Sequence, residues 1–177
     1  MDKKKSLIAL SVVALGSVAY NLLRPVRSKV AVVEPFDIAQ YLGTWYEIAR
    51  LDFRWEKNLK NVTATYSMRE DGMVKVNNQG VKIDTEKHKQ SIGKAKFADS
   101  PNQGALLVSF FGPFYAGYNI VQLDENYQDA LIFGDNLDYM WILSRNKTLS
   151  KERKEAYVAY ALAHGYDTSK LVWTIQE

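Results

Sequence analysis

Cysteine is absent from this 177-residue chain, and only two histidines, His88 and His164, are present. The absence of thiols excludes disulfides, thiol catalysis, Cys-ligated metals and a Cys-linked lipid anchor within this sequence. The two histidines stand alone, without the spacing of a metal site. The short motifs of serine hydrolases, zinc proteases and phosphate-binding loops are absent as well. We therefore expect a protein that is not an enzyme and that has no metal or cofactor.

An excess of charge of one sign is also lacking. The 23 Lys and Arg residues are balanced by 20 Asp and Glu residues, which gives a net charge of +3. Nucleic-acid-binding domains concentrate their basic residues on one face, whereas here they are scattered among acids, so we expect no nucleic-acid partner. The mild positive charge is compatible with an anionic membrane surface or an anionic ligand.

One long apolar run is present, and it lies at the N-terminus. Lys3, Lys4 and Lys5 precede an apolar stretch from residue 7 to about residue 23, and more basic residues follow. This order is typical of a secretory signal peptide or of an uncleaved membrane anchor, and the two stay alternatives. We assign residues 1–30 to this segment and residues 31–177 to one folded domain.

Short alternating patterns dominate the domain. In the segment "VTATYSM", apolar and polar residues alternate with a period of two, as in a half-buried strand. Asp71-Gly72 then gives a hairpin turn signal. About eight such strands follow between residues 44 and 145 without a helix between them. We predict an all-β fold, namely an eight-stranded antiparallel up-and-down β-barrel, whose interior is the right size to hold one small ligand.

Helical composition occurs in one place within the domain, after the strands. Ser150 is a suitable N-cap and Gly165 a suitable stop. One stripe of the intervening helix carries Tyr157, Tyr160, Ala161 and His164. We predict one C-terminal α-helix packed on the outside of the barrel. The last segment, "SKLVWTIQ", is a short strand that can add to the barrel.

Four segments together resemble the lipocalin family, especially its bacterial members and apolipoprotein D. They are "YLGTWYEIAR" (41–50), "TATYS" (63–67), "VSFFGPFYAGYN" (108–119) and "MWILSR" (140–145). The sequence differs from the family pattern in two respects. The family's T-D-Y motif is matched only approximately by Asp124 and Tyr127, and the cysteine that anchors the best-known bacterial members is absent, so their lipid anchor is not carried over.

The resemblance implies a role for Gly43, Trp45 and Arg145 as the structural motif of the barrel floor. In the family, the tryptophan closes the floor and the arginine lies across it, which is favourable because an indole face attracts a guanidinium. We expect Gly43 to give Trp45 room where the chain turns into the first strand.

The resemblance and the strand alternation together assign a ligand-binding role to four side chains. They are Tyr66, Asn78, Phe110 and Trp141, where the first two orient the ligand and the last two supply apolar wall. For each of them, plain core packing is the alternative. Phe111 and Phe114 belong to the loop "GPFYAG" and its flank, and we expect them to pack against the barrel end, with a membrane contact as the alternative.

The resemblance implies a fatty acid or lysophospholipid as ligand, stored or transported for maintenance of the bacterial cell envelope. It also implies a periplasmic or membrane-tethered location, contact with a membrane surface, and allows a homodimer. Two other functions stay open. In a lipocalin-fold enzyme, Glu47 is the candidate acid–base residue, unless it only balances the charge of Arg145. The third alternative is an interaction protein with a packed interior.

Overall fold

Antiparallel strands make up most of the protein. The structure is a computed structural model, and it describes residues 30–51 and 57–177. Its strands are β1 (Gly43–Leu51), β2 (Leu59–Met68), β3 (Val74–Lys82), β4 (His88–Phe97), β5 (Ala105–Phe111), β6 (Phe114–Leu123), β7 (Asp129–Phe133), β8 (Met140–Ser144) and β9 (Leu171–Trp173). The helices are α1 (Ile38–Tyr41), α2 (Lys151–Ala163) and a 3-10 turn at Thr168–Lys170. The predicted signal peptide or anchor lies outside the described residues, apart from Val30.

The strands form a closed barrel. Each strand from β2 to β7 pairs with the next one along the chain, and β1 pairs with both β8 and β2, always antiparallel. The predicted eight-stranded meander is therefore confirmed. Because β1 pairs on both sides, the sheet closes on itself and the eight strands form a barrel without a free edge strand.

The C-terminus fills a gap between β1 and β2. Direct pairing of these strands covers only Gly43–Tyr46 on β1, and β9 takes over farther along the same edge. The side chain of Gln176 then bridges the two strands, since its Nε2 donates to the carbonyls of Glu47 and Val62, both at 2.8 Å. The predicted final strand therefore adds to the barrel at this seam.

Two strands begin earlier than their sequence suggests. The strand β6 begins at Phe114, inside the segment "GPFYAG" that we expected to be a loop. Gly112 and Pro113 make the whole turn, since Phe111 and Phe114 already pair across it. The strand β2 begins at Leu59, before the alternating segment "VTATYSM". The polar residues Lys60 and Asn61 hid this pairing, because a strand half exposed to water need not be apolar at its ends.

Alternation along β7 separates two apolar layers. Ala130 and Ile132 face the barrel interior, whereas Leu131 and Phe133 face outward and are equally buried. The outward layer is covered by α2, as predicted from the apolar stripe of that helix. The barrel wall is therefore buried on both sides here, and this makes it a rigid frame for the interior.

The helix α2 begins and ends as its sequence indicates. The Ser150 side chain accepts a hydrogen bond from the backbone N–H of Arg153, and Gly165 follows the helix with a φ of +89°. Tyr157 and Ala161 are buried against the barrel. Within residues 30–51 and 57–177, no helix has the length and apolar character needed to cross a membrane.

Tyr157 gives a test of this packing. Its hydroxyl is buried without a hydrogen-bond partner among the described residues, and burial raises its pKa. We expect Tyr157→Phe to leave the free energy of unfolding unchanged or to raise it by up to about 1 kcal/mol, because it removes an unsatisfied polar group. Urea unfolding measures this change.

A matched control is Tyr118→Phe, since the Tyr118 hydroxyl bonds to two other tyrosine hydroxyls. That variant is expected to lose about 1–3 kcal/mol. A loss of similar size in Tyr157→Phe would contradict the proposed packing of the helix.

Candidate functional site

One end of the barrel, here called the floor, is closed by Trp45 and Arg145. The Arg145 guanidinium carbon lies 4.0 Å from the centroid of the Trp45 ring, which is 0% exposed. The guanidinium also donates to four carbonyls of the segment leading into β1, at 2.7–3.1 Å, namely those of Gln40, Tyr41, Leu42 and Thr44. One side chain therefore stacks on the tryptophan and fixes the chain that carries it.

Gly43 has a different role from the one expected. Its φ is +95°, which L side chains rarely adopt, so glycine fits this turn best. A Cβ at this position would lie 3.3 Å from Nη1 of Arg145, and Trp45 is not among its near neighbours. The glycine therefore makes room for the guanidinium and lets the backbone turn. Our expectation that it makes room for the indole was wrong.

Above the floor lies a cluster of three tyrosine hydroxyls. The Tyr118 hydroxyl is 2.7 Å from that of Tyr41 and 2.8 Å from that of Tyr66. Burial is the main cause that raises the pKa of Tyr41 and of Tyr118 well above the ordinary value. These phenols are therefore neutral, and they bond to one another rather than to a buried charge.

Sequence reasoning included Tyr66 in the site but not Tyr41 or Tyr118. A signal for Tyr118 was present, because it has the same strand parity as Ile120, whose side chain is fully buried. Tyr41 lies on the short helix α1, where strand alternation gives no information.

The barrel encloses a cavity of about 260 Å³ between this cluster and the opposite end. All four side chains predicted to bind ligand, Tyr66, Asn78, Phe110 and Trp141, line it. The remaining wall is mostly aliphatic and comes from several strands. A pocket of this size is close to the lower end of the usual range for small-molecule sites, about 300–1,000 Å³. Contact of these residues with a ligand stays a prediction.

Aromatic rings form a continuous column along the cavity. Tyr66 and Tyr118 have ring centroids 6.1 Å apart, Tyr118 and Trp141 are 6.4 Å apart, and Trp141 and Tyr139 are 6.3 Å apart. Tyr139 lies in the connection between β7 and β8, at the end away from the floor. The column therefore gives the cavity one rigid side from the floor to that end.

The opposite end, here called the rim, consists of the β3–β4, β5–β6 and β7–β8 turns. Phe111 and Phe114 in the β5–β6 hairpin are 71% and 59% exposed. Our expectation that they pack against the barrel end was wrong. Phe111 lies beyond the residues of β5 that pair with β4, and Phe114 lies before the residues of β6 that pair with β7, so the tip of this hairpin extends past the pairing of the neighbouring strands.

Three side chains with carboxylate or amide oxygens line the cavity. Asp135 is half-buried near the rim and accepts a hydrogen bond from the Gly117 backbone N–H at 2.7 Å. Asn78 has its Oδ1 fully buried without a hydrogen-bond partner among the described residues. Glu47 is the third. Sequence reasoning named Glu47 and Asn78, but not Asp135, which follows the end of a strand and has no alternation to mark it.

Glu47 is engaged by Arg50 and Thr174. Its Oε1 accepts from Nη1 of Arg50 at 2.6 Å and from the Thr174 hydroxyl at 2.5 Å. Glu47 and Arg50 are 3% and 1% exposed, so they form a buried ion pair. The alternative that Glu47 only balances the charge of Arg145 was wrong, because Glu47 pairs with Arg50 and Arg145 lies across the floor. No group of His, Asp and Glu suited to a metal ion occurs in residues 30–51 and 57–177.

The comparisons with known proteins agree with this geometry. Residues 36–176 match the lipocalin-like domain family. The chain is a lipocalin. The outer membrane lipoprotein Blc of Escherichia coli strain K12 is 49% identical over 170 residues, which are 96% of each chain. Apolipoprotein D of Macaca fascicularis is 33% identical over 155 residues, 82% of this chain and 80% of that one.

A solved structure extends the likeness to the fold. Insecticyanin from the tobacco hornworm Manduca sexta superposes with a TM-score of 0.65 and 24% identity, covering 85% of this chain and 87% of its own. At that identity the likeness concerns the fold alone. It agrees with the closed barrel and single outer helix seen here.

In this lipocalin the approximate T-D-Y motif organises the β6–β7 turn. The carboxylate of Asp124 accepts from the backbone N–H groups of Gln128 and Asp129 at 2.5 and 2.6 Å. The Tyr127 hydroxyl accepts from the Asp37 backbone N–H at 2.9 Å. Although they match the family motif only approximately, Asp124 still orders the turn and Tyr127 ties it to Asp37, in the segment before β1.

The buried ion pair gives a second test. We expect Glu47→Gln to lower the free energy of unfolding by about 3 kcal/mol, because the buried Arg50 guanidinium then loses the charge of the carboxylate 2.6 Å away. The double variant Glu47→Leu/Arg50→Met removes both charges and is expected to recover at least about 1 kcal/mol of that loss. Urea unfolding of both variants measures the coupling. Equal stability of Glu47→Gln and wild type would show that the pair is not formed.

Proposed function

We propose that this lipocalin binds one small amphipathic lipid with a single acyl chain, such as a fatty acid or lysophospholipid. The observation that carries the proposal is the enclosed apolar cavity, closed at the floor by Trp45 and Arg145. Burial of an acyl chain contributes about 0.8 kcal/mol per methylene before the cost of association. Since the volume is about 260 Å³, the cavity suits one chain better than the two chains of an ordinary phospholipid.

The orientation of the ligand follows from the polarity of the wall. Two hydrogen bonds join the three tyrosine hydroxyls above the floor, so the cluster has at most one O–H donor left for a head group. Asp135 lies at the rim, where water is available. The acyl chain therefore points to the floor, and the head group stays at the rim.

Binding is favoured over catalysis. The candidate acid–base residue Glu47 is held by Arg50 and Thr174, so its carboxylate already serves a structural ion pair. The alternative of an interaction protein with a packed interior has less support, because the interior contains a cavity.

We also place the protein in the bacterial cell envelope, periplasmic or tethered to a membrane. The support is the basic and apolar N-terminal segment, together with a relative that is named an outer membrane lipoprotein. Since this chain contains no cysteine, we propose that any tether is the apolar segment of residues 1–30 and not a Cys-linked lipid. Storage or transport of lipid for the upkeep of that envelope is the role that fits both location and cavity.

A cavity-filling variant tests ligand binding. We expect Val108→Trp to weaken binding of a fluorescent fatty acid to delipidated protein at least tenfold, because Val108 lines the cavity and the indole occupies its volume. Leu107→Trp is the matched control, since the neighbouring residue of the same strand faces the other side. Circular dichroism shows whether both variants fold. A folded Val108→Trp that binds like wild type would exclude the cavity as the site.

The rim gives a test of membrane contact. Residues 31–177 are used for it, because the apolar run before them binds membranes by itself. We expect Phe111→Ser/Phe114→Ser to reduce co-sedimentation with vesicles of phosphatidylglycerol and phosphatidylethanolamine at least about tenfold, since two exposed phenyl groups are lost. Met68→Ser removes an exposed apolar group, 49% exposed, from the floor end of β2, and is expected to bind like wild type. Equal losses in both variants would show that the rim is not the contact.

A further inference from the structure

We propose that Asp135 determines which head group the cavity accepts, and that it binds an ammonium group. This inference rests on the proposed function, since it concerns the ligand of the same cavity. The expected ligand is a single-chain amphiphile with an amine or quaternary ammonium group. A free fatty acid is expected to bind more weakly.

The carboxylate is placed at the upper end of the cavity wall. Asp135 follows β7 directly, and its Oδ1 accepts one hydrogen bond, from the Gly117 backbone N–H at 2.7 Å. Partial burial raises the pKa of Asp135, and the Gly117 bond offsets this only in part. A carboxylate that has lost part of its hydration is stabilised by a cation that approaches from the open side.

Gly117 forms a cradle for this carboxylate. A Cβ on Gly117 would lie 2.1 Å from Oδ1 of Asp135 and 3.1 Å from its Cγ. No other residue type at position 117 therefore leaves Asp135 in its present place. The two residues are 18 positions apart, Gly117 on β6 and Asp135 in the connection that follows the neighbouring strand β7, so the fold itself brings them together.

The charges that line the cavity are all negative among the residues that the structure describes. Glu47 and Asp135 are the two ionisable carboxylates, and no Lys, Arg or His is part of the wall. Glu47 is already paired with Arg50, whereas the contacts described for Asp135 include no cation within ion-pair distance. The buried Oδ1 of Asn78 is a further acceptor. A head group rich in N–H donors matches this wall, and a carboxylate meets like charge.

A purely structural role for Asp135 is the competing explanation, because its bond to Gly117 ties the β7–β8 connection to β6. Asp135→Asn separates the two roles. Its side-chain carbonyl accepts the same hydrogen bond in the same shape, and only the charge is lost. Asp138→Asn is the matched control, since Asp138 is exposed in the same connection and does not line the cavity.

The experiment is calorimetric titration of the full delipidated chain with three ligands of one chain length, dodecylammonium, dodecanoate and 1-dodecanol, each below the concentration at which it aggregates. We expect wild type to bind dodecylammonium about tenfold more tightly than dodecanoate. Asp135→Asn is expected to lose about tenfold in affinity for dodecylammonium, to bind dodecanol like wild type, and to bind dodecanoate as well or better. Asp138→Asn is expected to match wild type with all three.

Gly117→Ala provides a second variant that keeps every charge. Its methyl group displaces the Asp135 carboxylate, so we expect a selective loss of dodecylammonium affinity of at least threefold. Binding of the uncharged dodecanol shows for each variant, Asp135→Asn and Gly117→Ala, that the cavity is still folded.

The outcomes separate this inference from the proposed function. If wild type binds the three ligands equally, or if Asp135→Asn weakens all three by the same factor, the inference is wrong and the cavity still binds lipid. If wild type binds none of them, the proposed function fails and this inference fails with it.

Discussion

The stacking of Arg145 on Trp45 is the interaction on which the rest of the structure depends. A barrel of eight strands is a tube, and its interior holds a ligand only when one end is shut. Here a single guanidinium lies 4.0 Å from the indole and at the same time bonds the carbonyls of the chain that leads into β1. The floor and the first strand are therefore fixed together, and the apolar interior above them is shielded from water on that side.

The strands β1 and β2 pair directly over only part of their length, and other contacts close the rest of this seam in the wall. Beyond Tyr46, β1 no longer pairs with β2, and the C-terminal residues occupy the space between them. Glu47 and Arg50 meet there, although residues three apart in a regular strand face opposite sides. A register shift between Glu47 and Ala49 turns the strand so that both carry their charges to the same place. The ion pair and Thr174 then fix the C-terminal strand at the seam.

Much of this was predictable from the sequence, and the misses have physical causes. The barrel and the outer helix follow from alternation and from short motifs, since period two fixes which face a side chain takes. The four cavity residues needed the resemblance to the family as well as the alternation. The partner of Glu47 depends on the irregularity in β1, which leaves no mark in the residue pattern. The exposure of Phe111 and Phe114 depends on how far two strands extend past the wall. The place of Asp135 depends on Gly117, 18 residues earlier.

The polarity along the cavity explains how floor and rim work together. At the floor, two hydrogen bonds join the three tyrosine hydroxyls, so at most one O–H donor is left for a ligand in the deepest part of the cavity. At the rim, the half-buried carboxylate of Asp135 lies at the same end of the barrel as exposed aromatic side chains. Under the proposed function, a lipid that enters at the rim would move its chain from the apolar interior of a bilayer into the apolar cavity, while its head group would stay at the polar end. Since the floor is shut, such a ligand would enter and leave by the rim, and the groups at the rim would decide which lipids are held.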